Sequence, residues 1–517
     1  MRPRTPRPRA LTAGAAVAAA VLLASCSTPG AGSGEPSANT LTISTPTEPD
    51  SLDPTLANTF AARMVFTSFC EKLYDVDGDL KVVPQLAAAL PTVAEDGKSL
   101  DIPIRQGVKF NDGTPLDAAA VKTTLDRHLT MKASARVNEL SAVSRVEVKD
   151  PATVHIVLKR PSAPLVAQLA DRAGLIMSPT VVRKLGDDFG TAPVCVGPFS
   201  FDSRVSGNQI DFVKSDDYYD ADKVRLDGVR YKFITNSSIA TANLESGDID
   251  AAEHLDASDA IKLKSADGTK VLSSDTIAYQ SLSFNVRPDA GTPLSKSPAL
   301  RKAFEMSINR EILNKSVWND QQVPDCQPLP LQSPLHTKVP CTPFDPDAAR
   351  ELVRKSGLKT PIPVDLMATT GAATQREAQV VQSMAGDVGF KVSIKPLDLV
   401  SALQLARTGK FDAYIVGWSG RVDPDGDTND IITTGGSNNF SGYSDRAVDS
   451  LIQRAGSTND AEKRRQLYAQ AVERVGSVRP LIYLYHNRWF TGTSDKVHGV
   501  VYPPDGIPRF KTATLSP

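Results

Sequence analysis

From residue 40 onward, short strand-like runs alternate with amphipathic helix-like ones, and no linker rich in Gly and Ser separates them. Strand–helix–strand units recur at 229–234, 238–246 and 248–252, and again at 391–394, 401–408 and 411–416. This alternation predicts mixed α/β lobes rather than a repeat array or a barrel. Without a linker, the lobes must be joined by more than one crossing of the chain. Punctuation supports the elements. Leu73 to Val82 folds back at Asp77-Gly78, the favoured dipeptide of a two-residue hairpin turn, and a second hairpin turns at Asp150-Pro151. Asp345 caps a helix with Pro346 at its first position and Gly357 beyond its last turn. Ser297-Pro298 opens another, with Leu300, Ala303, Phe304 and Ile308 on one stripe, and a late helical pair carries Val448, Leu451 and Ile452, then Leu467, Ala471 and Val475.

The chain has 517 residues with 58 basic against 59 acidic side chains, 41% of them hydrophobic and 23% charged. At roughly 100–200 residues per domain this allows several domains with ample core, and the apolar fraction excludes a disordered chain. Near-neutral charge leaves no basic field to hold nucleic acid, so that partner class is set aside.

The first residues read as an address, not as fold. Arg2, Arg4, Arg7 and Arg9 precede an apolar run from Ala10 to Ser25, shorter than the ~20 residues a spanning helix needs, as in a signal peptide over residues 1–25. Leu23-Ala24-Ser25-Cys26 resembles the lipobox of bacterial lipoproteins, which implies cleavage before Cys26 and a diacylglycerol on its thiol; an ordinary export signal with a chance Cys is the alternative. Residues 26–40 then form a polar tether rich in Ser, Gly and Pro. Loss of residues 1–25 removes four Arg and no acid, leaving 54 basic and 59 acidic groups, a net charge of about −5. The expected location is outside the cell, lipid-anchored to the outer face of the cytoplasmic membrane. Cys70, Cys195, Cys326 and Cys341 remain, an even number suited to an oxidising compartment. Cys326 and Cys341 bracket a Pro-rich loop, so the expectation is a Cys326–Cys341 disulfide and hence Cys70–Cys195. Zinc is the alternative, without the CxxC spacing that would favour it.

Several segments in order resemble one family. They are Thr47-Glu48-Pro49-Asp50-Ser51-Leu52-Asp53-Pro54, Val83-Pro84-Gln85-Leu86-Ala87, and Ile104-Arg105-Gln106-Gly107-Val108-Lys109-Phe110-Asn111-Asp112-Gly113-Thr114-Pro115-Leu116. Val196-Gly197-Pro198-Phe199, Leu244-Glu245-Ser246-Gly247-Asp248-Ile249-Asp250, Ser283-Phe284-Asn285, Ser307-Ile308-Asn309-Arg310 and Pro343-Phe344-Asp345-Pro346-Asp347 follow. Phe411-Asp412-Ala413-Tyr414, Gly417-Trp418 and Asp423-Pro424 close the set. Together they look like the extracytoplasmic solute-binding proteins of peptide/nickel-type ABC importers, over about residues 40–510. Leu90 stands where the family often has Trp, and Ala120 where it often has an acid.

The resemblance implies an α/β, two-lobed periplasmic-binding-protein fold of class II-like type, with a hinge and a small extra subdomain. The expected division is 41–285 for the first lobe, including the subdomain at about 75–195, 286–490 for the second lobe, and 491–517 returning to the first. It implies a small solute, a peptide above all, held between the lobes and passed unchanged to membrane permease subunits by a monomeric receptor. Neither a cofactor nor a metal is expected. A glycan, an opine-like compound or a metal chelate as solute, and a sensing lipoprotein instead of an importer, are the alternatives.

The candidate site follows a strand, in Gly417-Trp418-Ser419-Gly420-Arg421-Val422-Asp423-Pro424-Asp425, where α/β proteins place ligands. Trp418 offers a flat wall with one donor, or else packs in the core. In the family's peptide binders an acid three residues after this Trp grips the ligand's ammonium; here Arg421 stands there. A guanidinium suits an anionic or polyhydroxyl group and would repel an ammonium. Asp423 is then the candidate cation partner, unless Arg421 pairs with Asp423 or Asp425 to shape the loop. Glu48, Tyr279, Asn285, Asn438 and Asn439 are further ligand-binding candidates by family position. Enzyme signatures fail: HExxH is absent, Gly417-Trp418-Ser419-Gly420-Arg421 lacks the last Gly of a nucleophile elbow, and Thr92 replaces the first Gly of a phosphate loop ending Gly97-Lys98-Ser99. The six His are scattered, with none paired at ligand spacing.

Overall fold

The strand Thr40–Thr45 lies between two parallel neighbours, Gly228–Phe233 on one side and Ala251–Ala252 on the other. The helix Ser237–Ser246 connects those two neighbours, capped by Asn236 and ended by Gly247 in the left-handed region that Gly adopts freely. This strand–helix–strand unit is the first lobe's centre. The structure, a computed structural model, describes residue 37 and residues 39–516; the leader, Cys26 and most of the tether expected from the sequence lie outside the described residues. Among the described residues, no helix is long and apolar enough to cross a membrane.

The second centre is built the same way. Ile362–Thr369 runs parallel to Phe390–Leu397 and to Ala413–Trp418, with the helix Leu399–Arg407 between the latter two in sequence. Two long antiparallel strands, Thr269–Phe284 and Leu481–Ser494, join the centres. Their far ends serve different lobes: Gly492 and Thr493 pair with Ala251–Ala252, while Tyr279 to Phe284 pair with Ala413–Trp418. Between Asp275 and Tyr279 the register slips, so the crossing pair is irregular midway between the lobes.

Burial follows the same division. One core gathers Leu41, Ile43, Phe66, Phe69, Phe212 and Tyr231, and reaches the C-terminal segment through Phe510 and Ala513. Another gathers Leu282, Phe284, Phe304, Val364, Leu366 and Phe390. A third packs the helices Arg446–Gly456 and Ala461–Val478 against Tyr279 and Tyr483. The four-stranded sheet of Thr92–Val93, Ser99–Pro103, Thr153–Leu158 and Val143–Asp150 carries the helix Ala118–Thr130, and its core is continuous with that of the first lobe. The molecule is thus of the two-lobed periplasmic-binding-protein α/β type. Cys70 is bonded to Cys195 and Cys326 to Cys341, with Cα atoms 4.9 and 5.5 Å apart. No thiolate of these four is left for a metal.

One turn differs from expectation. The hairpin pairs Val76 with Val82, so Asp77-Gly78 begins a five-residue connection instead of being the whole turn. The Asp77 carboxylate accepts from the Asp79 and Lys81 N–H groups, and Leu80 takes the left-handed residue position at φ 61°. A side chain capping two backbone donors outweighs the shorter turn.

Candidate functional site

Trp418 ends its strand opposite Tyr279, and the loop after it is held from within. Asp427, in the first turn of the helix Asp425–Ile432 and fully buried, accepts the Trp418 indole N–H at 2.9 Å and the Arg421 backbone N–H at 2.8 Å through one oxygen. Burial pushes its carboxyl well above the ordinary carboxylate range. Gly420 sits at φ 73°, and a Cβ there would lie 2.4 Å from the Ile277 carbonyl oxygen, so only Gly fits where the loop crosses the long strands.

Arg421 stacks its guanidinium over the Trp418 ring, 4.6 Å from the centroid, and donates through Nη1 to Gly420 O at 2.7 Å and Ser419 Oγ at 3.2 Å. The loop ion pair with Asp423 or Asp425 does not form. Both Asp423 oxygens are taken in a fork by Arg464, at 2.9 and 2.6 Å, because the helix Ala461–Val478 packs that side chain beneath the loop. Asp423 therefore braces the loop and has no free oxygen edge for an incoming cation. Asp425 is buried, and burial followed by the neighbouring Asp423 charge pushes it up to about 7.

Arg421 reaches across to the first lobe instead, where its Nε lies 3.4 Å from Asp171 Oδ2. Asp171 caps the short turn Arg172–Gly174 through Oδ1 and accepts Arg63 Nε on the same oxygen at 3.0 Å. Its Oδ2 has no hydrogen bond. Burial opposes its charge, but Arg63, then Arg421 and Arg172, hold the carboxyl well below the usual range. Arg63 projects from the helix Phe60–Phe69, which Thr59 caps. Phe60 continues the wall: its ring meets Trp489 at 4.7 Å and His254 at 5.1 Å. Beside His254, both Glu253 oxygens are buried without a partner, and burial lifts the carboxyl to about 8. On the second lobe the Tyr279 hydroxyl is likewise buried and unpartnered, its ring edge-on to Tyr483. A backbone hydrogen bond from Ala163 N to Gly456 O also joins the two sides.

The remaining candidates have structural partners. Glu48 pairs with Arg204, at 2.8 Å to Nε, and accepts from the Gly207 N–H. Asn285 donates to the carbonyls of Gly409 and Phe411. Asn439 donates to Thr433 O and Tyr443 O within its own loop, and the Asn438 N–H donates to Asp430 O. The junction thus brings together Trp418, Arg421 and Tyr279 from the sequence-derived set. It adds Arg63, Asp171, Arg172, Glu253 and His254, which sequence reasoning missed. Only Arg63 carried a visible signal, an Arg in the middle of the apolar run FAARMVFTSF.

Comparison with known proteins agrees with the two-lobed fold. The model of bacterial extracellular solute-binding proteins, family 5 (middle region), matches residues 81–440. The glutathione-binding protein GsiB of Pectobacterium atrosepticum is 29% identical over 482 residues, covering 90% of this chain and 92% of that protein. The binding protein AgaA from A. tumefaciens R10, solved with agropinic acid, superposes with a TM-score of 0.81 at 26% identity over 92% of this chain and 99% of that one. NikZ from Campylobacter jejuni, solved with Ni(L-His), shares the fold at a TM-score of 0.82 and 22% identity, over 92% of this chain and 99% of that one.

Proposed function

The chain belongs to the bacterial extracellular solute-binding proteins of family 5, and on that premise we propose that it captures a di- or oligopeptide between its lobes and delivers it unchanged to the permease of an ABC importer. The observation that carries this reading is the junction of the lobes. There Trp418 and Arg421 on one side face Arg63 and Asp171 on the other, among buried polar atoms with no protein partner. Buried donors and acceptors are normally satisfied, so unpartnered ones on both walls of a crevice are suited to a ligand that closure encloses. The protein performs no chemistry on that ligand. We place the lobes at 41–285 and 286–490, with 491–517 returning to the first and a subdomain at about 75–195. Export by residues 1–25 and a lipid on Cys26 would tether a monomeric receptor to the outer face of the cytoplasmic membrane, on the leash of residues 26–40.

Arg421 favours a second reading, a non-peptide solute with an acidic group, because an Arg at this place repels an N-terminal ammonium. AgaA, which was solved with agropinic acid, makes an opine-like acid the first such solute to try, whereas the glutathione-binding relatives make the tripeptide glutathione the first peptide to try. The test is a thermal-shift titration of stripped, refolded protein with Met-Leu, alanine tripeptides, glutathione, agropinic acid and neutral sugars. A true solute at 100 times its Kd stabilises by about 2.7 kcal/mol. A shift with sugars alone removes the peptide reading, and steady turnover of any of these compounds removes the binding-protein reading.

A further inference from the structure

The first lobe holds more buried positive charge at the junction than its own acids neutralise. Arg63 and Arg172 are 6% and 4% exposed. Arg63 shares Asp171 with Arg421, while Arg172 has no carboxylate within 4 Å among the described residues; its Nη1 donates only to Thr59 O at 3.1 Å. Three guanidinium groups therefore stand around the single carboxylate of Asp171. Arg136, the next cation, is already paired with Glu139 at 2.6 Å. Arg63 Nη1 and Arg172 Nε are buried with no hydrogen-bond partner. Burial, then the Arg136 charge, lowers Arg172 to about 9, which leaves it charged at neutral pH. An unpaired buried guanidinium costs several kcal/mol and persists where function requires it.

Both side chains line a cavity of about 110 Å³, shared with Glu71, Lys72, Arg509 and Lys511. That space holds about three or four waters, or one carboxylate on a short arm. The other cations of its wall already have acids: Lys72 with Asp75 at 2.6 Å, Arg509 with Asp505 at 2.6 Å, and Lys511 with Asp220 at 2.6 Å. Glu71 is engaged by the hydroxyls of Tyr218 and Tyr219, and its burial favours the neutral acid. The unspent donors are those of Arg63 and Arg172.

We propose that Arg63 and Arg172 form a carboxylate-binding subsite in the first-lobe wall, with Arg421 closing over it from the second lobe, so that the solute is an acid with at least one free carboxylate. This rests on the solute-binding reading above and narrows its ligand class. Guanidinium forks match carboxylates in a bidentate fashion, and the three charges favour a ligand bearing one or two of them.

Glutathione and its dimethyl ester, which lacks both free carboxylates, are titrated into stripped wild-type protein and into Arg172→Gln at constant ionic strength, with succinate, citrate, triglycine amide and maltose as further probes. In the wild type, free acids are expected to raise the melting temperature, and the ester of an acid that binds is expected to bind at least 30-fold more weakly. Arg172→Gln is expected to weaken every acid that binds at least tenfold, while the ligand-free melting temperature stays level or rises because an uncompensated charge has gone. The subsite is overturned if ester and acid bind within threefold, if only the amide or maltose binds, or if Arg172→Gln binds acids as tightly as the wild type. In those outcomes the solute-binding reading survives without this subsite. If no probe of any charge shifts the melting temperature, the solute-binding reading falls, and the subsite with it.

Discussion

Single side chains decide the chemistry of this junction, and they do so by being left unsatisfied. Glu253 is buried with neither oxygen bonded, and its carboxyl is lifted from 4.5 to about 8 by burial. The folded state therefore binds a proton that the unfolded chain releases near pH 4.5. Stability from this group is present below that value and is lost as pH rises towards 8. Glu253→Gln keeps the neutral shape and removes the dependence. The difference in stability between variant and wild type should grow in the variant's favour from pH 5 to pH 8, by about 3 kcal/mol. Denaturant unfolding of the ligand-free protein at several pH values measures it, and a flat difference would show that Glu253 is solvated. Arg63 has the converse logic: its burial weakens the charge while Asp171 sustains it.

At the scale of elements, the family-like segments prove to be largely scaffolding. Asp50 caps the approach to the helix Phe60–Phe69 by accepting from Asn58 and Thr59. Asn111 donates to Phe199 O and its N–H to Cys195 O, tying two distant segments of the resemblance together. Asp53 forms an ion pair with Arg127 of the helix Ala118–Thr130. These segments were legible because each works through local or short-range geometry. The loop after Trp418 is the exception, a scaffold that also presents a ligand wall. Its conformation depends on Gly420, whose positive φ and contact with Ile277 leave no room for a side chain. Gly420→Ala should cost about 2 kcal/mol or more in folding stability, through strain and clash together. Solute affinity should fall with it, because Arg421 is displaced. Normal unfolding with normal binding would mean that the loop can move aside.

For the molecule as a whole, the contact between Arg421 and Asp171 is the ion pair of the lobe junction, beside Val422 packed against the first-lobe core and the Ala163 N–H donating to Gly456 O. Asp427 holds the loop independently of the Arg421 side chain. Arg421→Ala should therefore change ligand-free stability by about 1 kcal/mol or less, yet shift the population towards separated lobes. Small-angle scattering should then give a larger radius of gyration than the wild type without solute, and the solute-induced rise in melting temperature should shrink. A large loss of ligand-free stability would make Arg421 a loop brace instead.

The alternation of strand and helix patterns, the caps at Asp345 and Ser297, and the strand that ends in Trp418 could be read from the chain alone. Hydrophobic periodicity and capping act over a few residues, so the primary structure determines them directly. Arg63, Asp171 and Arg421 could not be grouped that way, since more than a hundred residues separate each from the next. Nor did the residues around Asp423 reveal that Arg464 would occupy it. Which charges meet, and which stay unpaired, was decided by how the two long strands set one lobe against the other. Electrostatic pairing depends on distance in space and on exclusion of water, and only the tertiary structure supplies both.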